Sequence, residues 1–129
     1  MNALSRLSQF QLGLKLISIS IYRKLAMQVF TINPLTKEIH AVEIADTKEA
    51  LQELIGFSTI DSDEIDDNGD RLFFDEECFI RQQGNVGRFK VDSLAPVAGI
   101  GVIVNSQDGK TFQSAIINAE ELLKRVTYL

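Results

Sequence analysis

The alternation of apolar and polar residues after Met27 predicts a first β-hairpin. The runs MQVFTI and KEIHAVEI are rich in β-branched and aromatic residues, and they flank the tetrapeptide NPLT. Asn33-Pro34 favours a turn because proline presets the backbone dihedral that a turn requires.

Two segments have the periodicity of short amphipathic helices. In DTKEALQELIG, either Asp46 or Thr47 can cap the helix and Gly56 can end it, which predicts a helix over 46–56. In NAEELLKRVTYL, Asn118 precedes a second predicted helix over 119–128.

The remaining apolar runs predict further strands. FSTIDSDEI and DRLFF surround Asn68-Gly69, a pair that favours a type I′ hairpin turn. We expect CFIRQ, IGVIVN and FQSAII to be strands and the 81–101 segment to contain a long irregular loop. These elements predict one α+β domain with a mostly antiparallel sheet of hairpins and two covering helices.

The first 26 residues differ from the rest in charge and pattern. They carry four cations and no acid, whereas residues 27–129 carry 9 Lys/Arg and all 18 Asp/Glu, a net charge of −9. Apolar residues recur at helical spacing, although ISISIY also alternates as a strand does. That helical stripe consists of Leu4, Leu7, Phe10, Leu14, Ile17 and Ile21. Two interpretations remain: a basic amphipathic helix that packs on the acidic body or on a membrane surface, or a non-native segment upstream of a start at Met27.

Composition narrows the possible functions. The single cysteine, Cys78, excludes an intrachain disulfide framework, and a reducing, cytoplasmic location is the simplest expectation. No apolar run approaches the about 18 residues that a membrane span needs. The acidic body lacks the Lys/Arg patches that bind phosphates, so we expect no direct nucleic-acid binding.

The stretch DSDEIDDNGDRLFFDEE is the main candidate functional feature. It contains one cation and nine carboxylates: Asp61, Asp63, Glu64, Asp66, Asp67, Asp70, Asp75, Glu76 and Glu77. One interpretation is a docking surface for a basic protein. A sharper version of it is nucleic-acid mimicry, in which the carboxylates imitate phosphates. The other is a solvated edge hairpin that its charge protects from aggregation.

A small-ligand or metal-binding domain is the alternative. The 81–101 loop and the acidic hairpin would form its site, with Glu64, Asp66, Asn68 and Asp75 at calcium-loop spacing. The apolar run after Asp70 predicts a strand where a calcium loop needs a helix, so we expect neither a metal nor a cofactor.

The sequence contains no convincing catalytic constellation. Cys78 and His40 could be a nucleophile and a base, but no third residue would orient them and Cys78 lies in an apolar run. We therefore expect a binding protein and not an enzyme.

Residues 27–80 resemble a known family. MQVFTINPLTKEIHAVEI, LQELIG and LFFDEECFI are similar to the strand pair, helix and strand-turn of short, uncharacterised proteins carried by phages and plasmids, a domain of unknown function. Phe57 and Cys78 depart from that pattern, since the family has glycine there. The resemblance implies an accessory protein of a mobile genetic element. Homo-oligomerisation through an edge strand or the N-terminal segment stays open.

Overall fold

A five-stranded antiparallel sheet forms the centre of the computed structural model, which describes residues 26–81 and 84–129. Its strands lie in the order β2-β1-β7-β4-β3. Their bounds are β1 Ala26–Asn33, β2 Glu38–Ala45, β3 Ile60–Glu64, β4 Asp70–Asp75 and β7 Gly101–Asn105. The outer strands of the sheet are therefore β2 and β3.

A second antiparallel sheet and two helices complete the architecture. The small sheet has the order β6-β5-β8, with β5 Arg88–Val91, β6 Val97–Ala98 and β8 Val126–Tyr128. Helix α1 spans Lys48–Ile55 and helix α2 spans Ala119–Arg125. This arrangement confirms the predicted single α+β domain with mostly antiparallel sheet.

The large sheet carries an apolar cluster on each face, because its central strands alternate their side chains between the two sides. One cluster joins the sheet to α1 and includes Val29, Leu51 and Val102. The other joins it to the small sheet and α2 through residues such as Phe89 and Leu122. Strand β7 is buried along its whole length, which explains its unbroken apolar run.

The first hairpin forms as the sequence predicts. Strands β1 and β2 pair without interruption from Ala26 opposite Ala45 to Asn33 opposite Glu38. The side-chain oxygen of Asn33 accepts from the backbone N–H of Leu35 at 3.0 Å, which stabilises the turn.

Both helices have the expected caps, although their bounds differ from the prediction. Thr47, and not Asp46, caps α1 by accepting from the N–H of Ala50, and Gly56 ends it in the left-handed conformation. Asn118 caps α2. Helix α2 stops at Arg125, three residues before its predicted end, because Val126–Tyr128 pair with β5. Tertiary strand pairing there overrides the helical periodicity.

Several local predictions were wrong. The β3–β4 hairpin exists, but only Gly69 of the Asn68-Gly69 pair has a positive φ, so the turn is not type I′. Residues 78–81 of the predicted CFIRQ strand form turns and a bend and not a strand, and FQSAII contributes a single bridge between Gln113 and Asn105. In the 81–101 segment, the short strands β5 and β6 interrupt the predicted loop.

The predictions for the first 26 residues fall almost entirely on residues 1–25, which lie outside the part of the chain that the structure describes. Within residues 26–81 and 84–129, neither helix is long and apolar enough to cross a membrane.

Candidate functional site

The acidic stretch forms the β3–β4 hairpin at one edge of the large sheet. Strand β3 is the outer strand and pairs with β4 from Ile60 opposite Asp75 to Glu64 opposite Arg71. The fold divides the nine carboxylates into buried groups, groups in ion pairs and groups without an ion pair. This division determines which of them a partner can contact.

Asp70 is completely buried and has a structural role. Its carboxylate accepts from the backbone N–H of Ile117 at 2.8 Å, from that of Ile116 at 2.9 Å and from the side-chain amide of Asn105 at 3.1 Å. These bonds hold the segment before α2 against the first residue of β4. The prediction that Asp70 belongs to a docking surface was therefore wrong, because its oxygens are enclosed by protein.

Asp75 is also buried, with 2% exposure, and its carboxylate receives hydrogen bonds from several donors. The Nε of Arg81 lies 2.5 Å from one oxygen, and the Thr59 hydroxyl and the Glu77 N–H bond to the other. Burial alone raises the pKa of Asp75, but the hydrogen bond from Arg81 and those from Thr59 and Glu77 outweigh it, so the pKa is lowered. The prediction that Asp75 contacts a partner was therefore also wrong, because its carboxylate is buried.

Three further carboxylates form ion pairs within the domain. Asp66 binds Arg125 at 3.0 Å, Glu64 binds Arg71 at 3.0 Å, and Glu77 lies 3.4 Å from Arg81. Arg125 also bonds to Asp92, and these bonds raise the pKa of the guanidinium. These three arginines reduce the charge that the hairpin presents to a partner. Sequence analysis did not identify this role, since only Arg71 lies inside the acidic stretch.

Four carboxylates of the stretch make no ion pair with any residue in 26–81 or 84–129: Asp61, Asp63, Asp67 and Glu76. Asp61, Asp67 and Glu76 are exposed and Asp63 is half-buried. Asp61 and Asp63 lie two residues apart on β3 and point to the same side, with Cα atoms about 6.7 Å apart. Glu76 lies beside the start of β3, where its N–H bonds to the Thr59 carbonyl, and Asp67 lies beyond the strand's end. We call these four residues the acidic edge.

The four candidate calcium ligands are not brought together into a metal site. Asn68 lies in the turn before β4 and Asp75 is the last residue of that strand, and Glu64, Asp66 and Asp75 each bind an arginine. In the part of the chain that the structure describes, no three His, Cys, Asp or Glu side chains are grouped to hold a metal ion.

Cys78 and His40 lie in different elements of the fold. Cys78 is buried in the turn after β4, and its sulfur accepts from the Ala98 N–H at 3.5 Å. His40 lies on β2, 2.7 Å from Glu38. Strands β2 and β4 are three strand spacings apart, about 14 Å. The partners of these two side chains are different residues, and no hydrogen bond joins Cys78 to His40 among the described residues.

A shallow cleft of about 330 Å³ lies near the turn that contains Cys78. Phe79, Val86 and Leu129 supply apolar surface, and Arg81 and Arg88 supply positive charge. Arg81 is engaged with Asp75, whereas Arg88 is exposed and forms no ion pair with a described residue. The cleft includes part of the 81–101 segment, as the ligand-binding alternative predicts, but the acidic edge does not line it.

Comparison with protein-family models, with curated proteins and with solved structures found no match for this chain.

Proposed function

We propose that the protein acts by binding a basic protein surface through the acidic edge. The observation that carries the proposal is the contrast among the nine carboxylates. The fold uses two as buried hydrogen-bond acceptors and pairs three others with arginine. Among the described residues, the other four form no ion pair, and they lie on β3 or near its two ends. Clustered like charges repel one another, and a cationic partner relieves that repulsion.

The position of the acidic edge suits docking. Asp61 and Asp63 lie on β3, which has a strand neighbour on only one side within the described part of the chain. A row of carboxylates attracts a basic surface over a distance and accelerates encounter, with a strong dependence on salt. A sharper version of the proposal is nucleic-acid mimicry, in which the row imitates a line of phosphates.

The wider setting follows from the resemblance of residues 27–80 to phage and plasmid proteins. We place the chain among small cytoplasmic accessory proteins of mobile genetic elements, which act by binding and not by catalysis. The unpaired, buried Cys78 is compatible with a reducing compartment.

The test compares variants in affinity capture from host lysate, with the full chain as bait. The acidic-edge variant combines Asp61→Asn, Asp63→Asn, Asp67→Asn and Glu76→Gln. The control combines Asp46→Asn, Glu49→Gln, Glu120→Gln and Glu121→Gln, four exposed carboxylates at the N-terminal ends of the helices. Both variants change the net charge by the same amount, and a thermal melt verifies that both are folded.

The expected result is a specific protein that the wild type and the control retain at low salt and release at high salt. The acidic-edge variant should not retain it. Duplex DNA should displace that protein if the carboxylates imitate phosphates. A partner that binds the acidic-edge variant as well as the wild type would contradict the proposal.

A second candidate function is the binding of a small anionic ligand in the cleft beside Cys78. The exposed Arg88, which shares the lining of the cleft with Phe79 and Leu129, favours it. A thermal-shift screen with nucleotides, and with calcium for comparison, tests this candidate because a ligand of the native state raises the melting temperature. The shift should disappear in Arg88→Gln, and its persistence there would place the ligand elsewhere.

A further inference from the structure

The outer edge of β2 is long and lacks the features that usually protect an edge strand. Strand β2 has eight residues and pairs with β1 throughout without a bulge. It contains no proline and no lysine or arginine. Among the described residues, no strand pairs with its other side. Exposed backbone donors and acceptors on such an edge readily bind another strand.

The opposite edge of the same sheet differs. Strand β3 has five residues and carries Asp61, Asp63 and Glu64, whose charge discourages strand addition. Strand β2 has only Glu38 and Glu43 along a longer edge, and Glu38 is 2.7 Å from His40. Of the two edges, β2 is the one open to an added strand.

Depressions lie on both sides of the β2 edge, where small side chains leave room. One, of about 350 Å³, is lined by Ile44, Ala45, Ala50 and Leu54 with Glu43 and Glu53, between β2 and α1. The other, of about 310 Å³, is lined by Gln28, Ala41, Val42 and Glu43. An added strand would therefore meet an apolar groove on the α1 side and a more polar surface on the other side.

The chain outside the described residues contains a segment of matching chemistry. LISISIY, residues 16–22, places Ile17, Ile19 and Ile21 at alternate positions, with serines between them. Lys15, Arg23 and Lys24 flank the run, and no acid occurs before residue 38. This pattern suits a strand with one apolar and one polar face, and its charge is complementary to the glutamates beside β2.

We propose that residues 16–22 bind along the outer edge of β2 as a sixth, parallel strand of the large sheet. The chain reaches β1 at Ala26, which lies opposite Ala45 at the end of β2. Two strand spacings separate β1 from the new position, about 9.6 Å, and residues 23–25 can span about 10 Å.

This placement matches the side chains on both faces. With residue 22 beside Ala45, the three isoleucines lie on the side of His40, Val42 and Ile44, which faces α1. The serines lie on the side of Ala41 and Glu43. Lys15 then falls beside Glu38, so that charge and apolar surface match in the same register.

Amide hydrogen exchange of the full chain, resolved by residue with NMR, tests the proposal. In an edge strand, alternate β2 amides point away from β1 and exchange readily, whereas an added strand protects them. The test variant is Ile19→Pro, which places a proline within the added strand. The matched control is Gln11→Pro, which would break the alternative amphipathic helix equally but lies before the alternating run.

We expect outward β2 amides to be protected in the wild type and in Gln11→Pro, and to exchange at least about tenfold faster in Ile19→Pro. The amides that face β1 report on folding and should not change. Unprotected outward amides in the wild type would overturn the proposal. An equal loss of amide protection in Ile19→Pro and Gln11→Pro would also overturn it, because it would indicate a helix. Protection that decreases when the protein is diluted would overturn it as well, because it would indicate that a second copy of the chain binds the edge.

Discussion

The buried carboxylate of Asp70 gives a sharp prediction about stability. It is 0% exposed, forms no ion pair with a described residue, and accepts hydrogen bonds from Asn105, Ile116 and Ile117. The change Asp70→Ala removes the acceptor and leaves these three donors inside the protein. The segment before α2 loses its attachment to β4 as a result.

The magnitude follows from the donors that are left unsatisfied. A buried donor without an acceptor costs about 1–3 kcal/mol. Two of the three bonds are fully buried, and water can reach the third, that of Ile116, more easily. We expect the free energy of unfolding to fall by about 2–5 kcal/mol, a large part of the about 5–15 kcal/mol typical of a domain.

Urea denaturation followed by circular dichroism measures this loss. With a slope of about 2 kcal/mol per molar, the midpoint should fall by about 1–2.5 M. The change Asp67→Ala, in the same hairpin but exposed and without an ion pair to a described residue, should alter stability by less than about 0.5 kcal/mol. A loss below about 1 kcal/mol for Asp70→Ala would refute the assignment of Asp70 as a structural acceptor.

Three further predictions concern packing, capping and acid stability. Gly101→Ala should destabilise by about 1–3 kcal/mol in the same assay, because the new Cβ would lie 2.5 Å from Phe89 and 2.8 Å from Leu72; an unchanged midpoint would contradict this packing. Asn118→Ala should cost about 1 kcal/mol through loss of the α2 cap, with Asn118→Ser as the control that retains most of it. The lowered pKa of Asp75 stabilises the fold above the ordinary value of 3.8, and this contribution disappears as pH falls through the folded pKa. The stability difference between wild type and Asp75→Asn should therefore shrink as the pH falls below 3.8, and a constant difference would show that the charge is irrelevant.

The sequence alone determined the elements that depend on local chemistry. Asn33-Pro34 forms the predicted turn, Gly56 and Asn118 end and begin helices, and the apolar run of β7 is a buried strand. Each rests on residues within one turn or strand, so neighbouring side chains are sufficient to specify it. The antiparallel α+β fold class follows from the same signals.

Only the tertiary structure decided which acidic residues form a surface. In the sequence, nine carboxylates are equivalent members of one run. Asp70 is buried by a segment that lies 46 residues later, and Asp66 is paired with Arg125 from 59 residues later. Likewise, Val126–Tyr128 are not part of α2, although their sequence predicts a helix, because they pair with β5 as a strand. Long-range contacts of this kind have no local signature, because the residues become neighbours only when the chain folds.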